Sequence, residues 1–374
     1  MPVTLWPAQL KSEYKVTVSG IIEGLIRRFV NQSTRYRFKD VRVSIFAIGF
    51  QSGFLILMKE THKEILRKYG TAIGGLGLFI FFSVMAENFL NTDNLLNVLK
   101  QTSFLTILSI GFSFALTTSE LDLSFATVGS LSCVVTGGLI YHHYPTLLAV
   151  SAGITVGLVA GIVNGLIVTV LKVPSLIGTL AVSSMATGVS FWITGGVAYV
   201  GRWADAFLFL GRGRLLGIPV LVVWTLLTVL ISLFVLKQTR LGIHMVFTGE
   251  NDEAARLGGI QTKRLKILGL SLSGLAAGFT GVLLASSLSS ADPTAADGFM
   301  LTAIAAVLLG MTMIEPGHPN VIGSVIGALT IGVLSNGLIL LGAEYYVQHI
   351  MLGLIIIASV SVSASTITKA AFSV

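Results

Sequence analysis

The chain has 374 residues, of which 53% are apolar and only 11% are charged. A soluble domain carries about 25% charged residues, so this composition and a mean hydropathy of +0.87 exclude an ordinary soluble enzyme. The net charge of +7 does not indicate nucleic-acid binding, because the lysines and arginines lie beside apolar runs and form no separate basic domain. A single cysteine, Cys133, excludes an intramolecular disulfide.

The chain begins with a basic arm, residues 1–65. With the N-terminus in the cytoplasm, twelve lysines and arginines precede the first apolar run and eight more lie in cytoplasmic loops and tail, so twenty of the 24 lie inside. This distribution follows the positive-inside rule and predicts that both termini are cytoplasmic. Residues 43–58 are apolar but short and interrupted by polar side chains. We interpret them as an interfacial segment of the arm, with an eleventh span as the alternative.

Ten apolar runs predict an all-α polytopic membrane protein with about ten transmembrane helices. They cover residues 71–88, 104–118, 123–140, 146–170, 176–194, 218–236, 266–287, 299–313, 319–342 and 346–363. A crossing needs about 20 apolar residues, so the short runs 104–118 and 299–313 are expected to be tilted, broken or partly buried helices. The expected organisation is the arm, a transmembrane domain over 66–365 and a cytoplasmic tail over 366–374.

Glycines recur at four-residue spacing within these runs. The fourth run carries Gly153, Gly157, Gly161 and Gly165 on one helix face, and Gly323 and Gly327 repeat the spacing near the C-terminus. A face without side chains lets a neighbouring helix approach backbone to backbone, so these glycines predict close helix packing.

The runs contain few chemically distinctive side chains. No phosphate-binding loop of the G-x-x-x-x-G-K-[ST] type occurs, and the six histidines show no metal-ligand spacing. Glu120 and Asp122 mark a break between the second and third runs more plausibly than an acid–base pair. No predicted span has a charged residue at its centre, which argues against a proton- or sodium-coupled carrier. The pattern favours a subunit that takes its energy from another chain.

The loop between the sixth and seventh runs contains a short helix signal over 248–258. Asn251 is its predicted N-cap, acidic residues follow at the positive end of the helix dipole, and Gly258 is the predicted stop. A helix of two or three turns is too short to be stable alone, so it needs a partner surface.

This loop resembles the E-A-A loop of ABC importer permeases, and in particular the T-G-x-N-x-x-A-A-x-x-x-G-I pattern of the ribose-type sugar permease family. The matching residues are Thr248, Gly249, Asn251, Ala254, Ala255, Gly259 and Ile260. Further family motifs follow in order at Asp122-Leu123-Ser124, Asn164-Gly165, residues 173–180, Thr194-Gly195-Gly196 and residues 303–307. The chain departs from the pattern at Ile243, where the family has arginine, and at Thr302, where it has an acid.

The resemblance implies a type II ABC importer-like permease fold in a bacterial inner membrane. It implies a cytoplasmic ABC ATPase, a periplasmic sugar-binding protein and a second permease copy or paralogue as partners, with membrane lipid around them and no nucleic acid. The chain is expected to be a transport subunit rather than an enzyme and to bind no cofactor, since ATP and Mg²⁺ are used by the ATPase. Sequence alone leaves open which sugar is carried and whether the dimer is homomeric.

The same resemblance assigns expected roles to residues. The ATPase contact is expected at Glu250, Asn251, Glu253, Ala254, Ala255, Arg256 and Gly258. Because a neutral sugar needs hydroxyl and amide partners, the candidates for the substrate path are Asn164, Thr179, Thr302 and Asn336. Charged residues of the outer loops are candidates for docking the binding protein, namely Arg202, Asp205, Arg212 and Arg214. The alternative is that these loops are merely solvated. Branched-chain amino-acid and autoinducer permeases, an ion-coupled carrier and a non-transporting scaffold remain alternative functions.

Overall fold

The computed structural model describes residues 69–315 and 317–357. The expectations for the arm (1–65), its segment 43–58 and the tail (366–374) therefore lie outside the described residues. Within them the chain forms thirteen helices: α1 (Tyr69–Met85), α2 (Thr92–Thr117), α3 (Phe125–Tyr141), α4 (Thr146–Thr169), α5 (Ser175–Thr194), α6 (Asp205–Arg212), α7 (Val220–Gln238), α8 (Arg240–Glu250), α9 (Asp252–Leu257), α10 (Thr262–Leu288), α11 (Phe299–Gly310), α12 (Val321–Leu340) and α13 (Tyr345–Ile357).

Each of the ten predicted runs overlaps one of these helices, so the helical membrane class is confirmed. Six helices are long and apolar enough to cross a bilayer, namely α2, α4, α5, α7, α10 and α12. The apolar helices α1, α3, α11 and α13 are shorter, with 10 to 17 residues each. The expected count of about ten crossings is therefore not confirmed.

The predicted start of the run 104–118 is wrong, although its helix is largely buried, as expected. Helix α2 has 26 residues and begins at Thr92, where the Asn91 side chain caps it by accepting a hydrogen bond from Asp93 N. The first turns carry Asn94, Lys100 and other polar residues, which hide them from a search for apolar runs. The other short run does form a short helix, the 12-residue α11.

Prolines and polar capping side chains mark the starts of several helices. Pro145, Pro174 and Pro219 immediately precede α4, α5 and α7, where the missing N–H costs no helical hydrogen bond. Thr239 and Asn320 cap α8 and α12 through their side-chain oxygens.

The connections gather at the two ends of the bundle. At one end, called here the α9 end, the connections 118–124, 170–174, 239–261 and 311–320 come together. At the other, called here the strand end, two small antiparallel pairs form: β1 (Tyr199–Val200) with β4 (Ser290–Ala291), and β2 (Arg214–Leu215) with β3 (Ile218–Pro219). Tyr199 pairs with Ala291, so the connection after α5 is joined to the one after α10.

Helix α10 lies at the centre of the bundle and contacts α2, α3, α4, α6 and α8. Its contact with α4 is made by backbone. A Cβ atom at Gly157 would collide with the Gly274 carbonyl and the Gly278 backbone, and one at Gly161 would collide with Leu270 O. Gly165 faces Ile267 in the same way, so small residues at this interface let the two helix axes come close.

Other predicted packing glycines also lie at helix contacts. Gly153 faces the side chains of Thr136 and Ser132 on α3. Gly323 lies against the Gly310 backbone, and Gly327 against that of Ala306, which joins α12 to α11. Helices α11 and α12 therefore approach to backbone distance, whereas Gly153 leaves room for side chains of α3.

Replacing Gly157 with Leu should lower stability by about 3 kcal/mol, because the added side chain meets backbone that cannot rotate away. Thermal unfolding of the detergent-solubilised chain, followed by tryptophan fluorescence, measures the effect. The matched control is Gly188→Leu on α5, where an added Cβ has no heavy atom within 4 Å. Equal melting temperatures for the two variants would contradict the role given to the α4–α10 contact.

Candidate functional site

The α9 end carries the short helix expected from the sequence, but as the second of two helices. Asn251 ends α8 and caps α9, accepting a hydrogen bond from Ala254 N at 3.0 Å. Thr248, Gly249 and Glu250 belong to α8, and the short helix lies between the predicted N-cap Asn251 and the predicted stop Gly258. Gly258 is the C-cap with a negative φ, and Gly259 takes the left-handed conformation at φ +84° that favours glycine.

Helix α9 stands out from the bundle as a ridge. Only Ala255 points inward, with 7% of its surface exposed. Glu253, Ala254 and Arg256 are exposed, and Leu257 is 82% exposed. Leu257 was not among the residues expected at this site, although a leucine closing a short polar helix is a readable signal. The ridge therefore presents one large apolar side chain flanked by charges.

Four polar contacts surround the ridge, two of them at the preceding helix α8 and one at α9 itself. Ser119 Oγ, in the α2–α3 link (residues 118–124), donates to Gly249 O at 2.7 Å. Lys266 on α10 lies 2.9 Å from Glu120 Oε1 in that link and 3.5 Å from Asp252 Oδ2 on α9. On the other side His318 Nδ1 lies 2.7 Å from Glu250 Oε1. Helix α8 is thus held to the α2–α3 link and to the α11–α12 connection, and the ridge is attached to α10 through Asp252.

The pair Glu120–Lys266 is the most buried of these contacts. The Glu120 side chain is 1% exposed and that of Lys266 is 15% exposed. Burial raises the pKa of Glu120, and the nearby Lys266 ammonium opposes that rise. Glu120 is therefore more than a marker of the break between α2 and α3, since it binds the break to α10.

Two of the four substrate-path candidates, Asn164 and Thr179, hold the same link from the other side. Asn164 Nδ2 donates to Ser124 Oγ at 2.7 Å, and Ser124 donates to Asp122 Oδ1 from its backbone and its hydroxyl. Thr179 Oγ1 accepts from Leu123 N at 3.0 Å. Asn164, Thr179 and Asp122 are each at most 1% exposed, so they bond to the link and present no surface to a solute in this structure.

The structure does not bring the other two candidates to that cluster. Asn336 on α12 exchanges hydrogen bonds with Asn94 on α2, at 3.0 and 2.9 Å. Thr302 on α11 is partly exposed, and its hydroxyl donates to Phe299 O within its own helix. The two therefore lie at separate helix contacts.

A cavity of about 360 Å³ lies between α2, α7 and α10. Its lining is almost wholly apolar and includes Ile110, Phe114, Trp224 and Phe279. A sugar entering it would lose hydrogen bonds to water without replacing them, so this cavity does not fit a polar solute.

The charged residues expected to dock a binding protein lie together at the strand end. Asp205 and Arg212 are in the first and last turns of α6, and Arg212 Nε donates to Ser287 O at 2.8 Å. Arg202 and Arg214 are exposed, and Leu216 between β2 and β3 is fully exposed. Among the described residues no group of three or more His, Cys, Asp or Glu side chains is placed to hold a metal ion.

Comparison with known proteins gives consistent matches. A family model described as the permease component of the branched-chain amino acid transport system matches residues 94–360. The ribose import permease of Escherichia coli K12 is 36% identical over 304 residues, which are 80% of this chain and 94% of that protein. The ribose import permease of Bacillus subtilis 168 is 35% identical, covering 81% and 94%. The D-allose permease of E. coli K12 is 33% identical, covering 79% and 90%. No solved structure matches this chain.

Replacing Lys266 with Met should leave the buried Glu120 carboxylate without a cationic partner and lower stability at pH 7.5 by about 3 kcal/mol. Because burial raises the pKa of Glu120, the folded state of the variant binds a proton more readily than its unfolded state does. The loss of stability relative to the unchanged chain should therefore become smaller as the pH falls towards 5. Thermal melts at a series of pH values measure it.

The matched control is Lys263→Met, at an exposed lysine one turn earlier on α10. The double variant Lys266→Met with Glu120→Gln should recover most of the lost stability, because no uncompensated charge remains buried. A deficit that is the same for Lys263→Met and Lys266→Met, or that the double variant does not reduce, would contradict the pairing.

Proposed function

The chain belongs to the family of membrane permease components described for branched-chain amino acid transport, and we propose that it is the permease subunit of an ATP-driven monosaccharide importer. The observation that carries this proposal is the α9 ridge, an exposed helix attached to α10 through Asp252, on a chain whose ribose and allose permease relatives match over nine-tenths of their length. A permease needs no catalytic groups of its own, because ATP and Mg²⁺ are bound and used by a separate ATPase.

The proposed partner of the ridge is that ATPase. Leu257 supplies an apolar anchor for a pocket on the partner, and the exposed Glu253 and Arg256 supply charges at the rim of the contact. Asn251, Ala254, Ala255 and Gly258 then shape and attach the helix. Glu250 ends α8 and faces His318, so it steadies the ridge.

Movement of the ridge passes to the bundle through the contacts already described. Lys266 joins α9 to α10 and to the α2–α3 link, and Ser119 joins the link to α8. Asn164 and Thr179 fix the link to α4 and α5. An ATPase that closes on ATP would therefore move these elements together between two arrangements of the permease.

The proposal also orients the protein. The α9 end faces the cytoplasm with both termini, as the distribution of lysine and arginine predicts. The strand end faces the periplasm, where Arg202, Arg212 and Arg214 steer a sugar-binding protein into contact. The proposed assembly has two permease subunits, identical or paralogous, in a bacterial inner membrane, with two ATPases bound to them. The proposed fold is that of a type II importer.

Transport by the reconstituted system tests the proposal. Proteoliposomes holding this chain and a candidate ATPase of the same genome, with its periplasmic binding protein outside, are assayed with radiolabelled D-ribose, L-arabinose, D-allose and L-leucine. We expect accumulation of a sugar that requires ATP, the ATPase and the binding protein. Uptake driven by an ion gradient without the ATPase, or accumulation of leucine alone, would overturn the proposal.

Replacing Leu257 with Glu should weaken binding of the ATPase at least about tenfold, because the anchor of the contact is lost, while the melting temperature stays unchanged. Co-purification in detergent and ATP-dependent uptake measure the effect. The matched control is Leu216→Glu, at a fully exposed leucine of the strand end. Retention of the ATPase by Leu257→Glu would place the contact elsewhere on the chain.

A further inference from the structure

The connection between α10 and α11 returns from the strand end into the middle of the bundle. It begins at β4, which pairs with β1 at that end. Six residues later Ala296 lies against Gly129 of α3, where an added Cβ would also approach Ala277 O. Ala277 is the sixteenth of the 27 residues of α10, close to the middle of the helix. Helix α11 then starts at Phe299, so the break in helical structure lies halfway along the bundle.

Non-helical backbone at this depth requires either protein around it or a water-filled cavity beside it. Here one side is packed and the other is open. Ala296 is fully buried, whereas Thr294, Gly298 and Leu301 are exposed and Asp297 is partly exposed. Because lipid cannot bond to non-helical backbone, the open side of this turn faces water or a second protein.

Asp297 is the ionisable group of this turn. Its Oδ1 accepts a hydrogen bond from Ser130 Oγ at 2.7 Å, and that same hydroxyl accepts from Ala296 N at 2.9 Å. The carboxylate is thus fixed to α3 through one oxygen. Ionisable side chains within a membrane bundle are costly and mark functional sites more often than packing sites.

A row of hydroxyls continues from Asp297 along α3 and α5. Thr127 lies one helical turn before Ser130, and its hydroxyl bonds to Ser183 Oγ at 3.0 Å. Thr187 follows one turn after Ser183 on α5. Thr127, Ser183 and Thr187 are all partly exposed, in contrast to the buried Asn164 and Thr179. The row offers a neutral polar surface with a single carboxylate at one end.

We infer that Asp297, held in place by the buried Ser130, forms with Thr127 and Ser183 the mid-membrane contact for the transported solute. The inference rests on the proposed function and adds the site at which the solute is recognised. A carboxylate accepts hydrogen bonds from two neighbouring hydroxyls of a polyol, and charge-assisted bonds of this kind are stronger than neutral ones. The site therefore takes a neutral solute with vicinal hydroxyl groups.

The test uses Asp297→Asn in the complete reconstituted complex, with the binding protein saturated by D-ribose or by 2-deoxy-D-ribose. The amide keeps an oxygen for the Ser130 hydroxyl but loses the charge. We expect at least about a tenfold lower rate of ribose uptake and a smaller ratio of ribose to 2-deoxyribose transport, since 2-deoxyribose lacks one of the vicinal hydroxyls. The matched control is Asp292→Asn in the same connection, where Asp292 Oδ1 accepts hydrogen bonds from the backbone N–H and the hydroxyl of Thr294.

The outcomes separate the inference from the proposed function. If the wild-type complex moves no sugar, the proposed function fails and the inference falls with it. If the wild type transports and Asp297→Asn matches it in rate and in selectivity, the inference alone is overturned. A variant that slows both sugars equally and melts at a lower temperature would assign Asp297 a packing role and would also overturn the inference.

Discussion

The structure depends on the contact between α4 and α10, where glycines bring two backbones together without intervening side chains. In a bilayer the hydrophobic effect does not press helices together, so van der Waals packing of small residues must hold this pair. Gly157 and Gly161 lie directly on the α10 backbone. Helix α10 also carries Lys266, which contacts the α9 ridge, and borders the mid-depth turn through Ala277, so one helix connects the ridge with the turn that holds Asp297.

Polar groups buried at the α9 end hold the α2–α3 link in place. A charged or amide side chain shielded from water is costly unless it is bonded, and removal of one partner leaves the other stranded. Glu120 is bonded to Lys266, and Asn164 is bonded to Ser124, so the irregular α2–α3 link is held by α10, α4 and α5. Under the proposed function, a link bound on several sides would follow a displacement of α9 instead of absorbing it.

Sequence patterns located the helices far better than they located the site. Apolar runs found every bilayer-length helix, yet missed the polar first turns of α2, because polar residues inside a bundle look like loop. The Asn251 cap identified α9, whereas Leu257 was overlooked because the family pattern drew attention to small and polar residues. Asp297 was overlooked because it falls between predicted spans. Only the fold shows that this connection turns back to the middle of α10, and no spacing in the sequence encodes that depth.

The central claim is that α9 and the bundle to which it is bound move as one body when the ATPase closes. The distance between a spin label at position 253 on α9 and one at position 172 between α4 and α5 tests this claim in the assembled complex. Both positions are exposed, and pulsed electron paramagnetic resonance measures the distance. Cys133 is buried and does not compete for the label. The account predicts the same distance distribution without nucleotide and with ATP trapped in the ATPase. A shift of several ångströms between the two states would contradict it, because the ridge would then swing free of the helices it is meant to drive.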